Sequence, residues 1–351
     1  MTRQESIEAS GLHRVEREGL AIVRLKAGKG FSYRDAEGRR ISDEAVLARI
    51  RALAIPPAYR DVRIAVDPRA YLQAIGRDEA GRLQHRYHPD WTTVREEAKI
   101  DRLLDLISVL PRIRAAVRRD LAAKALSQAK ALACAVALID DSHIRVGCES
   151  YVRTSGSRGA STLLKRQAAV KGGRIELRFR GKGGRKIRCG IRDTQLARAL
   201  KRLASLPGSR LIQYCGAGGR VRPIGAADVN AYLRRIAGQA VSAKDLRMLG
   251  ACATALEHFV MVEPAASETA RRRQVAGVMR AVSEHLANTP AVVRKSYVHA
   301  VVIEGFADGS LAGAYQKARS ATFRHRAEAA LSRLAALRTR PAPGLVRDPG
   351  L

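Results

Sequence analysis

The hydrophobic pattern changes near Thr92, and this change most constrains what the chain can fold into. Before it, residues 62–66 and 71–75 alternate between apolar and polar side chains, as half-buried strands do. After it, the apolar residues of 100–107 recur at the spacing of one helix face. The sequence therefore predicts a β-rich first part and a mainly helical second part.

The second part contains one clear interruption of the helical pattern. Residues 173–179 and 186–191 alternate, and the glycine-rich turn around Lys182 predicts that they form a β-hairpin. Elsewhere we predict helices, with a break at Pro111 and one continuous helix over 290–306. The predicted fold class is α+β, with a small β-rich domain at 1–91, a larger helical domain at 92–318 and a basic helical tail at 319–351.

The charge of the chain indicates a class of partner. The sequence has 64 basic and 33 acidic side chains, a formal net charge of +31. Residues 1–91 carry only 17 of the basic and 13 of the acidic ones, so most of the excess lies in residues 92–351. Such a charge favours a polyanion, because each neutralised phosphate releases a condensed counterion. It does not identify the chemistry.

Several classes of protein are excluded by what the sequence lacks. No apolar run reaches the roughly 18 residues of a membrane span, and the first residues do not resemble a secretory signal. The five cysteines form no Cys-x-x-Cys pair, and no phosphate-binding glycine loop or paired carboxylate cluster stands out. We therefore expect a cytoplasmic protein that needs neither a metal nor a nucleotide cofactor.

Without a metal, cutting a phosphodiester needs a side-chain nucleophile, cations and an acid. Tyr297 is a candidate nucleophile. Thr289 and Pro290 are typical of a helix start, which predicts Tyr297 on the second or third turn. A phenol with a pKa of about 10 is a poor nucleophile unless cations stabilise its anion. Taken alone, such a tyrosine is more typical of a helix core.

Three cations stand in segments where they could assist. Arg145 follows a predicted helix end, and Arg247 follows Ser242 and Asp245, which form a Ser-x-x-Asp helix start. Arginine suits phosphate because it bridges two oxygens. Lys182 tops the hairpin, where it could protonate a leaving oxygen. Each cation alone is more typical of a solvated surface charge.

Together, these segments resemble the type IB DNA topoisomerases, specifically their poxvirus-like bacterial branch. The resemblance runs nearly end to end, with the motifs in the family's order. The most specific motifs are Ile55-Pro56-Pro57-Ala58-Tyr59-Arg60-Asp61-Val62, Gln73-Ala74-Ile75-Gly76-Arg77-Asp78, Tyr87-His88-Pro89, Ile144-Arg145-Val146-Gly147, Phe179-Arg180-Gly181-Lys182, Lys244-Asp245-Leu246-Arg247, and Asn288-Thr289-Pro290 with Tyr297.

The resemblance implies that residues 92–318 form a catalytic domain, and it implies a role for each candidate catalytic residue in it. Tyr297 would form a 3′-phosphotyrosyl bond, and Arg145 and Arg247 would brace the phosphate. Lys182 would protonate the 5′-hydroxyl leaving group. Asn288 stands where the family has a His or an Asn that bonds a non-bridging oxygen. The implied activity is that of an isomerase, which relaxes positive and negative supercoils by cleavage, swivelling and religation without ATP.

The resemblance also implies contacts to duplex DNA. Gln84, His85 and Tyr87 resemble the part of the N-terminal domain that meets DNA. Tyr151 matches a DNA-contacting aromatic, and Lys244 a phosphate contact. We expect the two domains to form a C-shaped clamp on DNA. The resemblance favours a monomer, and its substrate implies association with the nucleoid.

Two positions near the expected site depart from the family pattern. Cys148 follows Arg-Val-Gly where relatives carry a polar or basic residue, so one DNA contact could be weaker. Met248-Leu249-Gly250 replaces the more usual threonine and aromatic residue after Arg247, so the support of that arginine could differ.

Other interpretations stay open at this point. A tyrosine recombinase shares the nucleophile and the arginines, but recombinases generally carry His-x-Leu-Arg where this chain has Lys244-Asp245-Leu246-Arg247. A DNA-packaging protein built on a degenerate enzyme scaffold would form no covalent adduct. An RNA-modifying enzyme fits the charge, but aromatic residues make up only 4% of the chain, which is few for base stacking.

Overall fold

The computed structural model describes residues 3–16, 18–318 and 323–339. The chain divides into two units, Met1–Ala98 and Lys99–Leu351, and each has its own apolar core. Within the described residues, no helix is both long enough and apolar enough to cross a membrane.

Within its described residues and before the long helix that crosses the unit boundary, the first unit contains two short helices and five strands. In chain order these are α1 (Arg3–Ala9), β1 (Ile22–Ala27), β2 (Gly30–Arg34), α2 (Glu44–Ala52), β3 (Arg60–Ile64), β4 (Leu72–Arg77) and β5 (Leu83–Tyr87). The strands form one antiparallel sheet in the order β2-β1-β3-β4-β5. This sheet confirms the β-rich first part.

Burial against α2 stabilises the first sheet. Ile22, Ile64 and Ala74 of the strands are buried together with Ile50 of α2. The helix begins at residue 44 because the Asp43 carboxylate accepts hydrogen bonds from the first free backbone N–H groups. The cap and the buried stripe together fix α2 on one face of the sheet.

The second unit is mainly helical, as predicted. Its helices are α3 (Pro89–Ala122), which begins before the unit boundary, α4 (Gln128–Ser142), α5 (Glu149–Ser155), α6 (Thr194–Ala204), α7 (Ala226–Ala237), α8 (Ala243–Phe259), α9 (Glu268–His285), α10 (Pro290–Ser296), α11 (Ala300–Ala307), α12 (Ser310–Lys317) and α13 (Phe323–Thr339). Its strands are β6 (Ala168–Lys171), β7 (Arg174–Arg180), β8 (Lys186–Arg192), β9 (Gln213–Cys215) and β10 (Val221–Pro223).

Helix α4 forms the centre of the second unit. Its residues 130–139 are buried on every side, as expected of a helix that is apolar around its circumference. It packs against α6, α7 and α8. Because α4 is fixed along its length, the segment that follows its last residue, Ser142, starts from a rigid point.

The predicted hairpin is confirmed, and it belongs to a three-stranded antiparallel sheet in the order β6-β7-β8. Ile175, Leu177 and Phe179 of β7 point into the core, while the alternate residues point to solvent. Strand β6 was not predicted from the sequence. The turn that carries Lys182 lies at the free end of the hairpin.

The predicted break at Pro111 is wrong, because α3 continues through it. Leu106, Leu110, Ile113 and Val117 lie at helical spacing and are all buried. A proline inside a helix removes one backbone hydrogen bond and costs about 3 kcal/mol. Burying a large apolar side chain contributes about 1.5–3 kcal/mol, so the stripe outweighs the proline.

The prediction of one helix over 290–306 is also wrong. Helix α10 ends at Ser296, and α11 begins only at Ala300. The ring of His299 accepts a hydrogen bond from the backbone N–H of Val301 at 3.1 Å and so caps the new helix. Tyr297, with a φ of −126°, therefore lies in the break and not on a helical turn.

The last helix packs into the second unit against α8, α11 and α12. Ala327, Leu331 and Leu334 of α13 are fully buried, and the Leu334 side chain lies directly over Gly305 of α11. Residues 319–322 and 340–351 of the predicted tail lie outside the described residues.

Candidate active site

Arg247 is the most buried of the predicted site residues, with 3% of its surface exposed. The start of its helix, α8, is fixed where the backbone N–H and the hydroxyl of Ser242 both donate to Asp245 Oδ2, at 2.9 and 2.7 Å. This confirms the helix start predicted from Ser-x-x-Asp. The helix leaves Lys244 in solvent and turns Arg247 inward.

Two helix ends hold the Arg247 guanidinium. Its Nη1 donates to the carbonyl of His143, the C-cap residue after α4, and its Nη2 donates at 2.8 Å to the carbonyl of Leu286, the C-cap residue after α9. The rings of His143 and His285 join the same helix ends through nitrogens 2.8 Å apart. Carbonyls at helix ends are partly negative and so stabilise a buried cation. Within the described residues, Arg247 Nε is buried without a hydrogen-bond partner, which leaves it available to a ligand.

Tyr297 lies beside this arginine. The Arg247 guanidinium carbon is 5.2 Å from the centre of the Tyr297 ring. The break between α10 and α11 exposes backbone groups, and the sulfur of Cys252 on α8 contacts two of them. It donates to the Tyr297 carbonyl at 3.3 Å and accepts from the N–H of His299 at 3.4 Å. The tyrosine backbone is thus held by the same helix that carries Arg247.

The surrounding cations change the acidity of the tyrosine. Burial alone would raise the pKa of the Tyr297 phenol, because it penalises the anion. The positive charge of the adjacent Arg247 guanidinium opposes this effect, and Arg145 and Lys244 add their charges. The net result is a pKa below the ordinary value for tyrosine. The site therefore favours the phenolate form that a nucleophile needs.

Arg145 is held by its backbone in the segment between α4 and α5. Its carbonyl accepts a hydrogen bond from the N–H of Ala160 at 2.8 Å. Gly147, with a φ of +89°, packs so closely that a Cβ atom there would lie 2.6 Å from Thr162 Oγ1. The glycine of the Arg-Val-Gly motif therefore lets this segment lie flat against the next one.

Lys182 lies in the exposed turn between β7 and β8. Gly183 and Gly184 both adopt positive φ values there, of 72° and 74°. The Lys182 Nζ is 6.0 Å from the ring centre of Tyr151 on α5, which is 52% exposed. The lysine and the aromatic ring thus lie next to each other at the surface of the unit.

One cavity of about 280 Å³ unites most of these side chains. The predicted residues that line it are Arg145, Tyr151, Lys182, Lys244, Arg247 and Tyr297. Their segments lie far apart in sequence, on α5, α8, the α4–α5 segment, the hairpin turn and the α10–α11 break. The cavity therefore brings a phenol with a lowered pKa together with the four predicted cations.

Asn288 is the one predicted catalytic residue that does not line this cavity. Its Oδ1 accepts from the N–H of Thr289 at 3.2 Å, and its backbone N–H donates to the Ser283 carbonyl. The Nδ2 group is buried, with no hydrogen-bond partner within the described residues. A buried donor without a partner costs about 1–3 kcal/mol, so this amide is suited to an acceptor supplied by a ligand.

Comparisons with known proteins agree with this geometry. Residues 30–78 match the family described as bacterial DNA topoisomerase IB, N-terminal domain, and residues 89–322 match eukaryotic DNA topoisomerase I, catalytic core. DNA topoisomerase 1B of Acanthamoeba polyphaga mimivirus is 30% identical over 296 residues, which cover 81% of this chain and 86% of that protein. The chain belongs to the type IB DNA topoisomerase family.

The region that matches the topoisomerase catalytic core contains every predicted catalytic residue. Gln84, His85 and Tyr87, the predicted DNA contacts of the first unit, lie between the two matched regions. On β5, the rings of His85 and Tyr87 share one face and are stacked with centres 6.0 Å apart. Gln84 points to the other face, where its Nε2 donates to Asp78 Oδ2 at 2.9 Å. The three residues therefore do not form one cluster.

Sequence reasoning missed one cation that lines this cavity. Arg158 lines the same cavity, and its Nη1 donates to the Thr162 carbonyl at 2.7 Å. No local pattern singles it out, since it lies in an irregular segment after α5. Cys148, which appears above only as a departure from the family, also lines the cavity. Within the described residues, no group of three or more His, Cys, Asp or Glu side chains could hold a metal ion.

Proposed function

We propose that this chain relaxes supercoiled duplex DNA by cutting one strand with Tyr297 and then resealing it. The observation that carries the proposal is the phenol of lowered pKa beside Arg247, in one cavity with Arg145 and Lys182. A nucleophile, two arginines suited to phosphate and a proton donor are the groups that metal-free phosphodiester cleavage requires.

In the cleavage step, the Tyr297 oxygen attacks the phosphorus and the bond from phosphorus to the 5′ oxygen breaks. The product is a 3′-phosphotyrosyl bond and a free 5′-hydroxyl. The phenol loses its proton, which the neighbouring cations favour by stabilising the phenolate. The proton that the leaving oxygen needs comes from Lys182 Nζ, assisted by Arg145. General acid catalysis of this kind typically contributes about 10²- to 10⁴-fold.

Three groups stabilise the charge on the phosphate. Arg145 and Arg247 bind its oxygens, and the buried Nε of Arg247 is one donor available for this. The Nδ2 amide of Asn288 donates to a non-bridging oxygen. This last role requires the phosphate or the Asn288 turn to approach from beside the cavity, because Asn288 does not line it.

The resealing step reverses the first. The 5′-hydroxyl attacks the phosphotyrosine, returns its proton to Lys182 and releases Tyr297. The covalent bond conserves the energy of the phosphodiester, so no ATP is needed. The torque of the supercoil drives rotation of the free end, and supercoils of both signs relax.

We propose that duplex DNA is held by both units, which close on it as a C-shaped clamp. The excess positive charge of residues 92–351 supports this, as do the exposed Tyr151 and Lys244 beside the cavity. His85 and Tyr87 would meet DNA through their shared face, and Gln84 from the opposite side of β5. The protein would act as a monomer on the nucleoid in the cytoplasm.

The test is relaxation of positively and negatively supercoiled plasmids in EDTA without ATP. Wild type should relax both, and Tyr297→Phe should bind DNA but neither relax it nor form a covalent adduct. Tyr315→Phe is the matched control, since Tyr315 also lies under an arginine, Arg326, at 4.2 Å but does not line the cavity.

Each alternative result would contradict a different part of the proposal. Relaxation by Tyr297→Phe would mean that another tyrosine is the nucleophile. Synapsis of two DNA sites with strand exchange would indicate a recombinase. DNA binding by folded wild type with no adduct and no relaxation would indicate a packaging protein.

A further inference from the structure

The outward face of the sheet β6-β7-β8 is almost entirely basic. Side chains alternate between the core and solvent along each strand, and every charged residue of the three strands points outward. One of them, Glu176, is acidic. The seven basic residues, here called the cationic face, are Lys171, Arg174, Arg178, Arg180, Lys186, Arg188 and Arg192.

The strand register places these cations directly opposite one another. Arg174 pairs with Arg192, Arg178 with Arg188, and Arg180 with Lys186. That list comprises every basic residue of β7 and β8. Like charges directly opposite each other on a sheet destabilise it. This arrangement opposes folding in the absence of a partner and is relieved by an anion.

The acid on this face neutralises only part of the charge. Glu176 accepts from Arg174 and from Arg178, both at 3.3 Å. Both of these arginines are on β7, so Glu176 leaves the cations of β8 to another partner. Arg188 and Lys186 also border a second cavity, of about 250 Å³, in which Glu284 is the acidic residue.

The cationic face leads to the catalytic cavity. The seven residues of β7, from Arg174 to Arg180, span about 20 Å at the usual rise of a strand. The turn at the end of this span carries Lys182, which lines the cavity. Duplex DNA carries about one charge per 1.7 Å of its axis, so a duplex along this face presents about a dozen phosphate charges.

We propose that the cationic face binds the phosphate backbone of duplex DNA beside the cleavage site. This inference rests on the proposed function for the identity of the polyanion, but it concerns binding and not cleavage. The sheet would then have two roles. Its turn carries Lys182, which protonates the leaving 5′ oxygen, and its outward face holds the DNA on which Lys182 acts.

The test is the salt dependence of binding by the full chain. The variant Lys186→Gln/Arg188→Gln/Arg192→Gln removes three cations that do not pair with Glu176. The matched control, Arg198→Gln/Lys201→Gln/Arg234→Gln, removes three exposed cations from helices α6 and α7 of the same unit. The two variants have the same net charge as each other, because each loses three cations. Circular dichroism checks that both are folded.

Wild type and both variants are titrated with a duplex that extends well beyond the cleavage site, over a range of salt. Each phosphate contact contributes about 0.9 to the slope of log K against log salt, so the face variant should lose up to about 2.7 and the control much less. Equal slopes for the face variant and the control would overturn the proposal, since net charge alone would then explain the binding.

The length of the duplex distinguishes two possible ligands of the cationic face: the flank of the cleaved duplex and a separate duplex. For DNA beside the cleavage site, the loss of affinity grows as the flank is lengthened. A loss seen only with supercoiled plasmid would mean that the face holds a separate duplex, and would overturn the proposal. Failure of wild type to form a covalent adduct removes the proposed function and leaves the binding result intact.

A different observation points to a positioning residue for Lys182. Arg185 closes the hairpin turn, where its carbonyl accepts from the N–H of Gly181 at 2.8 Å. Its side chain reaches across to another segment: Nη1 donates to the backbone carbonyl of Asn288 at 2.8 Å. The two residues are 103 positions apart, and Asn288 lies just before the helix that leads to Tyr297.

This hydrogen bond ties the proton donor to the segment of the nucleophile. The turn itself is exposed and glycine-rich, so its own backbone does little to fix Lys182. We infer that Arg185 positions Lys182 for protonation of the 5′ oxygen. This inference also rests on the proposed function.

A sulfur-substituted substrate isolates the protonation step. When sulfur replaces the bridging 5′ oxygen, attack by Tyr297 breaks the bond from phosphorus to sulfur, and the sulfur leaves as a thiolate. A thiol has a pKa of about 8.5, far below that of an alcohol, so this leaving group needs no proton. A defect confined to proton delivery should therefore disappear on this substrate.

The variants Arg185→Ala and Arg185→Lys are compared in single-turnover cleavage of both substrates. Arg185→Ala should be about 10-fold slower or more on oxygen, less than the 10²–10⁴ of a lost general acid, and near wild type on sulfur. Arg185→Lys, which keeps one donor, should recover part of the rate. Lys182→Ala provides the reference for complete loss of the acid.

Two results would overturn the inference about Arg185. An equal defect on both substrates would mean that Arg185 supports the fold or DNA binding instead. No defect on either would mean that the hydrogen bond does not position Lys182. If wild type cleaves neither substrate, the proposed function itself fails.

Discussion

The sulfur of Cys252 lies 3.3 Å from the backbone carbonyl of Tyr297, and this contact anchors the break between α10 and α11 to helix α8. A break in a helix frees backbone groups that need partners when they are buried. Cys252 serves both the carbonyl before the break and the N–H of His299 after it. Tyr297, the proposed nucleophile, and Arg247 are therefore positioned by one helix.

The first prediction concerns this anchor. Cys252→Ala removes the sulfur that contacts the Tyr297 carbonyl and the His299 N–H, so we expect a loss of about 1–3 kcal/mol in the free energy of unfolding. We also expect slower single-turnover cleavage, because Tyr297 is less well fixed. Cys252→Ser retains a donor and an acceptor, so its stability and its cleavage rate should lie between those of wild type and Cys252→Ala. Cleavage by Cys252→Ala at the wild-type rate would show that the anchor does not position the tyrosine.

The period of the hydrophobic pattern was enough to predict the two parts of the fold, because strand and helix spacing depend only on which side chains are buried. It failed where tertiary contacts decide the local structure. Pro111 stays helical because its neighbours are buried, and the helix breaks after Ser296 because Cys252 and His299 provide partners for the backbone. Neither effect is visible in the local sequence.

The candidate site shows the same limit. Tyr297, Arg145, Arg247 and Lys182 were selected by family resemblance, and they line one cavity. Arg185 was not selected, because a bond between residues 103 positions apart leaves no local pattern. For the same reason, the sequence did not indicate that Asn288 would lie outside the cavity.

The second prediction concerns the pH dependence of cleavage by Tyr297, the proposed nucleophile. The pKa of Tyr297 lies below its ordinary value because Arg247, Arg145 and Lys244 outweigh burial. Lys244→Gln removes one of these charges and raises this pKa, so the phenolate forms at higher pH. The part of the pH–rate profile in which the cleavage rate rises should therefore move to higher pH. The loss of rate relative to wild type should be largest at pH values below this rise.

This profile is measured at saturating enzyme on the sulfur-substituted substrate, whose cleavage does not depend on proton delivery by Lys182. Lys201→Gln on α6 provides a control for the loss of one exposed lysine elsewhere in the unit. An unchanged profile for Lys244→Gln would contradict the electrostatic account of Tyr297.

The third prediction tests the two carbonyls that hold Arg247. Lysine has a single charged nitrogen and cannot span the His143 and Leu286 carbonyls as the guanidinium does. Arg247→Lys should lose about 1–3 kcal/mol of stability, since a buried acceptor is left without a donor. It should also cleave about 10²- to 10³-fold more slowly. Arg235→Lys, at an exposed arginine over Tyr232, serves as the control, and comparable cleavage by the two variants would contradict the role of Arg247.

The fourth prediction ranks the thiols. Burial raises the pKa of Cys134 and of Cys252 to about 12, whereas hydrogen bonds from Ser150 lower the pKa of Cys148. Alkylation requires the thiolate, so iodoacetamide should label Cys148 ahead of the two buried thiols. Because Cys148 lines the cavity, labelling should also slow cleavage, and Cys148→Ser should protect it. Peptide mapping that finds Cys252 labelled first in folded protein would refute this order.

The fifth prediction concerns the attachment of the last helix. Arg114 of α3 donates to Asp140 of α4 at 2.9 Å and to both oxygens of Glu328 of α13 at 2.7 Å, and all three side chains are largely buried. Burial alone would lower the pKa of the Arg114 guanidinium, but these carboxylates raise it above its ordinary value. The arginine thus stays charged between α4 and α13.

Arg114→Met removes this cation and leaves two buried carboxylates facing each other, so we expect a loss of about 3–5 kcal/mol in the free energy of unfolding. Urea unfolding followed by circular dichroism measures it. The matched control is Arg272→Met, whose ion pair with Glu268 is exposed and should contribute only about 0–1 kcal/mol. If both variants unfolded at the same urea concentration, α13 would be held by its buried Ala327, Leu331 and Leu334 alone, and not by the charges around Arg114.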